Sequence, residues 1–462
     1  MAWPRIFGWI KARGSLRSLA RWCFLGTLVV APWLYGGTTA ESIEVINGML
    51  GVALALWIGS LLVDRRWPLV PRGLVLMALG ILIMGWWMVW NAGAIYDSTF
   101  GVFVPLAPVL PRAAGSADQV LSLAWMLRAT LLLGAVGFTA ELAQRPVWLV
   151  RLWYAIVIAG GSIAVLGLAQ KAAGAKMIFW RPPVWPPMET FFATYFYHSN
   201  AGAFLNLVFP PIAGLVLWTW VRHGSPWARA ACLTTLLLVA LAILSNTSRM
   251  AQAVGGALAI AMVGLVARPA LRLLARAEKR TVVLGIVVGA VAVLAIAQAV
   301  RLDQPFRRWQ QFSEQWPVSA RWAANRAALG GVNDAGVFGF GPGTFRAIFP
   351  HYQQSSTERL EGSWRFLHDD YLQTILEWGW IGSALIAALF FGGMAMGIRN
   401  YFKAQDWSYR QRILLASALL ALAGVALHAL VDFPLQILSI QLFAATYLGI
   451  CWGSVGWNKD GG

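Results

Sequence analysis

Apolar residues along the chain fall in runs of about 17–25, the length a bilayer core demands of a helix. Short charged or Pro/Gly-containing segments separate them. The pattern predicts helical spans near 22–38, 44–63, 72–90, 118–142, 147–169, 200–221, 230–246, 249–267, 282–300, 373–398, 411–430 and 434–455. Between the ninth and tenth of these lies a long polar stretch, 301–372. Within it, 304–329 has the spacing of one or two amphipathic helices, with Trp309, Phe312, Trp316, Trp322 and Leu329 on their apolar faces. A Gly/Pro turn follows at Gly339-Phe340-Gly341-Pro342-Gly343. The expected fold class is therefore all-α and polytopic, a single integral membrane domain. Residues 1–300 would hold the first nine spans, 301–372 a large external loop, and 373–462 the last three. No internal repeat of 20–50 residues is visible.

Composition agrees. The chain has 462 residues, 59% hydrophobic and 12% charged, against roughly 25% charged in soluble domains. The 26 tryptophans gather near the ends of the apolar runs, as an interfacial aromatic belt does. A net charge of +17 would raise nucleic acid as a partner in a soluble protein. Here most Lys and Arg sit in alternate short loops, such as Arg65-Arg66, Arg268 to Arg280 and Arg399 to Arg412. That is the positive-inside signature of membrane topology, so membrane lipids are the expected surroundings and no nucleic acid is expected. It puts both termini in the cytoplasm and 301–372 outside. Cys23, Cys232 and Cys451 all lie in apolar runs without a CxxC, which disfavours both a disulfide framework and a thiolate metal site.

The candidate chemistry collects on the outer side. His198, His351, His368 and His428 lie there in this topology, and only His223 faces inward. Polar clusters surround them: Tyr197-His198-Ser199-Asn200 opening the sixth span, Ser245-Asn246-Thr247-Ser248-Arg249 in the hairpin after the seventh, His368-Asp369-Asp370 before the tenth, and His428 with Asp432. His428 and Asp432 are four apart and would share one helix face. Such spacing also suits a metal, but neighbouring arginines oppose a dication and no HExxH or DxD pattern occurs, so neither a metal nor another cofactor is expected. Arg249, Arg321 and Arg326 offer permanently charged forks suited to phosphate oxygens. Arg128 lies about ten residues into the fourth span. It either snorkels to a polar neighbour or lines the same cavity. His368 is the natural acid–base group near neutral pH, unless Asp369 or Asp370 simply caps the tenth span with the histidine incidental. These features point to a phosphate-bearing, lipid-anchored substrate handled at the outer face.

The run Gly339-Phe340-Gly341-Pro342-Gly343-Thr344-Phe345, then Phe349-Pro350-His351-Tyr352, then His368-Asp369-Asp370-Tyr371-Leu372-Gln373 and Glu377-Trp378-Gly379 resembles the signature of the bacterial O-antigen ligase and polymerase superfamily. Ser248-Arg249, Arg321 and His428 to Phe433 extend the resemblance over about 190–440. One departure is that the family usually reads His-Asn-Asp where this chain has His368-Asp369-Asp370. The resemblance implies a C-type glycosyltransferase-like fold in the bacterial inner membrane, with the site facing the periplasm. It implies a donor glycan on undecaprenyl pyrophosphate, a lipid A–core or glycan acceptor, and an inverting, metal-independent transfer. On that basis Arg249 and Arg321 are expected to clamp pyrophosphate, His368 to be the base, and Asp370 to orient His368 or the acceptor. Arg326, Arg346, Tyr352, His198, Asp369, His428 and Arg128 are further substrate-binding candidates. Ligase and polysaccharide polymerase remain alternatives. A lipid or anionic-solute transporter is the competing class, though it would be expected to show paired broken spans with repeat symmetry.

Overall fold

The computed structural model describes residues 3–181, 191–222, 224–274, 298, 303–311, 320–354, 360–404 and 406–457. Among these, a first helix α1 (Trp3–Val30) packs along α2 (Ala40–Asp64). α3 (Arg72–Trp90), α4 (Gln119–Leu142), α5 (Pro146–Ala172), α6 (His198–Val221), α7 (Pro226–Ser245) and α8 (Arg249–Leu274) follow. The segment expected to be a large loop carries three short helices, α9 (Asp303–Gln310), α10 (Ala320–Ala335) and α11 (Phe345–Gln354). The chain closes with α12 (Asp370–Lys403), α13 (Tyr409–His428) and α14 (Leu438–Gly453). Nine of the described helices, α2 to α7 and α12 to α14, are long and apolar enough to cross a membrane. The span expected at 282–300, His223, Phe312, Trp316 and the Pro-rich 182–190 lie outside the described residues, apart from residue 298.

The helical, polytopic expectation holds, with one short addition. Ala94–Asp97 (β1) and Val102–Pro105 (β2) pair as an antiparallel hairpin. The Asp97 side chain closes its turn by accepting from the Thr99 and Phe100 amides, and Gly101 supplies the positive φ. The first span ends earlier than expected. Past Val30 the chain makes two 3-10 turns, where Gly36 and Gly37 take positive φ.

α6 and α14 form the centre of the bundle. Both are almost entirely buried, with α13 packed on α6 and α4 on α14. α6 carries Pro210-Pro211 in its interior, which removes two backbone donors and orphans the carbonyls four residues earlier. The bundle repairs one of them. Tyr447 on α14 donates its hydroxyl to the Leu207 carbonyl at 2.9 Å. Trp153 on α5 donates to the Pro211 carbonyl at 2.6 Å. Tyr447→Phe leaves the Leu207 carbonyl unpaired in a dry core and is expected to cost about 1–2 kcal/mol. Thermal denaturation followed by size exclusion would measure it, and an unchanged midpoint would refute it.

α12 is not one continuous helix. At Gly379 the backbone takes φ 59°, ψ −168°, a region essentially reserved for glycine. The break frees the Leu376 and Glu377 carbonyls, and the Gly/Pro turn docks there. Phe340 N–H donates to Leu376 O and Gly341 N–H to Glu377 O, each at 2.9 Å, while Ile381 N–H donates back to Val337 O at 3.1 Å. The buried Glu377 carboxylate holds the same turn from below, accepting from the Gly343 amide (3.1 Å), the Phe345 amide (3.2 Å) and Gln373 (3.0 Å). On the other side Ala117 N–H donates to Phe340 O and Ser122 to Pro342 O. The glycines thus permit close backbone packing between α4 and the broken α12. A Cβ on Gly341 would strike Ser116, and one on Gly343 would strike Trp125.

Candidate active site

One end of the bundle holds a cavity of about 410 Å3 lined by residues from α6, the α7–α8 hairpin, α9, α10 and the segments before α12 and after α13. The hairpin is fixed locally. Asn246 accepts from the Ser248 amide at 2.8 Å and donates to the His198 carbonyl at 2.8 Å, and Ser248 caps α8 through the Ala251 amide. Gly202 allows this approach, since a Cβ there would meet Ala251. Arg249, the first residue of α8, therefore stands at the cavity wall.

α9 and α10 close the cavity from outside. Trp309 on α9 donates to Gln252 on α8. Its neighbour Arg308 reaches over the hairpin, donating to His198 Nε2 at 3.2 Å and to the Thr247 carbonyl at 3.4 Å. Arg321 from α10 donates to the Tyr197 hydroxyl and lies 3.8 Å from Asp432. Arg308 and Arg321 each lie within electrostatic range of Arg249, and the three line one cavity. Such a set attracts an anion with several acceptor oxygens.

His368 faces the same cavity. Its Nδ1 lies 2.9 Å from Asp432 Oδ1, while the ring packs edge-on against Phe433, Trp364 and Tyr197. Asp432 is 1% exposed. Burial works to raise its pKa, but the hydrogen bond and charge of His368 and the charge of Arg321 outweigh it. The carboxyl is held well below the usual Asp range. Its contribution to stability is thus present above the ordinary Asp value of about 3.9 and is lost only as pH falls through the depressed folded value. Tyr197 is pushed the other way, by burial and by Asp432 itself, so its hydroxyl stays protonated and donates to Asp432 Oδ2 at 3.3 Å. An ionised Asp432 accepts a hydrogen bond from Nδ1–H, which leaves the lone pair on Nε2. That is the tautomer a general base requires.

The expected residues sort as follows. His368, Arg249, Arg321 and His198 meet in this cavity. Asp370 does not orient His368. Its two oxygens are occupied by the Leu435 amide (2.8 Å) and the Gln436 side chain (2.9 Å), so it fixes the chain between α13 and α14. Asp432 takes the orienting position. Nor do His428 and Asp432 share a helix face, because α13 ends at His428. His428 is buried against Ser199 at 3.0 Å and does not line the cavity. Asp369 caps α12, accepting from the Tyr371 and Leu372 amides. Arg326 and Arg346 are exposed outside the cavity. Tyr352 donates to Asp334 at 2.9 Å and borders a different hollow with His351. Arg128 lines a second cavity beyond Tyr197 rather than this one. Arg308 was not anticipated. Its only sequence signal is an Arg307-Arg308 pair on a short amphipathic helix.

Among the described residues no three His, Cys, Asp or Glu side chains gather as a metal site. The positive charge at the cavity comes from guanidinium groups.

Comparison with known proteins bears on the same region. Residues 233–387, about a third of the chain, match the family described as O-antigen ligase. The match takes in Arg249, Arg308, Arg321, His368 and the docked Gly/Pro turn, and stops short of Tyr197 and Asp432. No curated protein matches the chain.

Proposed function

We propose, from the match of residues 233–387 to the O-antigen ligase family, a glycosyltransferase that moves a glycan from a polyprenyl pyrophosphate to an acceptor sugar hydroxyl. The site would face the periplasm from the bacterial inner membrane, with both termini in the cytoplasm and about twelve spans in all. One observation carries the reading: a histidine set by a buried carboxylate stands in the same cavity as three arginines.

The chemistry divides between them. His368 Nε2 takes the proton of the acceptor hydroxyl, and the resulting imidazolium is stabilised by Asp432. The hydroxyl oxygen attacks the anomeric carbon from the face opposite the pyrophosphate, inverting the centre. The carbon–oxygen bond to pyrophosphate breaks as the new glycosidic bond forms. Arg249, Arg308 and Arg321 receive the charge that develops on the leaving pyrophosphate. Pyrophosphate needs no protonation to leave, so the arginines can serve without a divalent ion. A lipid A–core acceptor makes the protein an O-antigen ligase, and a growing glycan makes it a polymerase.

The test is transfer by purified protein in lipid nanodiscs, in EDTA, with an undecaprenyl-pyrophosphate glycan and each acceptor. Arg249→Ala and Arg321→Ala are each expected to lower kcat/KM by roughly 10²–10³-fold, with folding intact. Transfer that needs a divalent ion, or survives both substitutions, would overturn the arginine mechanism. Lipid crossing the bilayer without transfer would favour a transporter.

A further inference from the structure

A second cavity, about 370 Å3, lies on the other side of Tyr197 and Phe433 from Arg249 and His368. Arg128 and Arg365 both line it, and Arg128 lies within range of the Arg365 charge. Among the described residues no carboxylate borders it. Arg128 gets little in return for its place inside α4. It makes one long hydrogen bond, 3.4 Å, to the Gln436 carbonyl and stacks over Trp125 at 5.7 Å. Among the described residues its Nε has no hydrogen-bond partner. Glu377 is within electrostatic range, but its oxygens are taken by the Gly343 and Phe345 amides and Gln373. A guanidinium inside a membrane span is costly unless a partner or water meets it.

The cavity also carries unpaired acceptors. Asn200 and Gln436 are 3% and 6% exposed. Both line it, and among the described residues Asn200 Oδ1 and Gln436 Oε1 lack a donor. Buried polar atoms without partners mark missing groups. The half-buried Arg128, with the more exposed Arg365 beside it, suits an anion, and two buried amide oxygens call for hydroxyls. We propose that this cavity binds a phosphorylated sugar of the acceptor glycolipid, its phosphate on Arg128 and Arg365 and its hydroxyls on Asn200 and Gln436. The acceptor assignment rests on the transferase reading above, but phosphate-sugar binding does not. Tyr197 and Phe433 would then divide the donor's pyrophosphate from the acceptor's phosphate. The volume suits a small-molecule site.

The experiment uses the full chain in phosphatidylcholine nanodiscs, with glucose 6-phosphate, glucose and inorganic phosphate as probes and equilibrium binding as readout. Glucose 6-phosphate is expected to bind more tightly than either half alone. Arg128→Gln and Arg365→Gln should each raise its Kd at least about tenfold, the worth of one charge-assisted hydrogen bond. The arginines of the other cavity also attract phosphate, so the binding phase weakened by Arg128→Gln and Arg365→Gln is expected to persist in Arg249→Gln, while any second phase is lost. Since the two guanidiniums repel each other, the ligand-free thermal midpoint of Arg365→Gln should not fall. Unchanged Kd in both Gln variants would overturn the site. Nanodiscs containing phosphatidic acid separate the sources. Displacement of the sugar phosphate by that lipid at equal affinity would assign the cavity to bilayer headgroups and overturn the sugar assignment. In the transfer assay, Arg365→Gln should raise KM for a phosphorylated acceptor and leave donor KM and the use of its dephosphorylated form unchanged. Binding without transfer would leave the site standing while the transferase reading failed.

Discussion

His368→Ala is expected to lower kcat for glycan transfer by roughly 10²–10⁴-fold, the share a positioned general base supplies. Donor binding should change little, because the arginines remain. The side chain is partly buried and held only by Asp432 and ring contacts, so the variant should fold. Asp432→Asn provides the control that separates position from chemistry. An amide in its place loses the charge that sets the tautomer and stabilises the imidazolium. The lost charge-assisted hydrogen bond, about 1.5–3 kcal/mol, corresponds to roughly 10–150-fold in rate. If both acts run through one pathway, the double variant should lose little more than His368→Ala alone. A His368→Ala enzyme with near-normal kcat would end the base assignment and turn attention to His198, the other cavity histidine.

Gly379→Ala is expected to be the most damaging small substitution outside the cavity. The residue sits at φ 59°, ψ −168°, which costs a non-glycine residue on the order of 1–3 kcal/mol. A Cβ would also overlap the Val337 carbonyl and the Gly339 amide. Those are backbone atoms that cannot rotate away. Gly339 faces the same obstacle from the opposite side, meeting the Glu377 carbonyl and the Gly379 amide. The docked turn must move or the helix must close, and the thermal midpoint should fall by at least about 1–3 °C, roughly 1 °C per kcal/mol in a chain of this length. Transfer should fall with it, because α12 begins two residues after His368. Gly256→Ala on α8, with nothing within 4 Å of its new Cβ, should be neutral in the same assay. Equal midpoints for the two variants would remove the packing argument.

These cases show what the sequence could convey. Apolar runs located most spans within a few residues, because bilayer thickness imposes a length that hydropathy records directly. Arg249, Arg321 and His368 were legible because each sits in a compact polar cluster at the edge of an apolar run. Asp432 as the partner of His368 was not. The two are 64 residues apart, and the contact depends on how α13 ends, a question of packing rather than periodicity. The nearer acid, Asp370, looked better placed in sequence, but it lies on the first turn of α12 and its oxygens are drawn to the Leu435 and Gln436 groups. Arg128 was recognisable as an anomalous charge, yet which cavity it faced depended on Tyr197 and Phe433 standing between. The β1–β2 hairpin escaped notice because four-residue strands in a Pro-rich segment leave almost no alternation to detect.

The interruption in α12 has a mechanical consequence. Its membrane portion beyond Gly379 is largely unburied within the protein, so it must follow the surrounding bilayer as that thickens, thins or tilts it. An unbroken helix would carry those movements straight to the histidine just before its first turn. Here the nine residues ahead of the break are tied instead to Ala429, Leu435 and the Gly/Pro turn. The end that carries His368 is therefore anchored to the protein's interior and insulated from the lipid. Transfer rates should accordingly vary little across nanodiscs of different acyl-chain length.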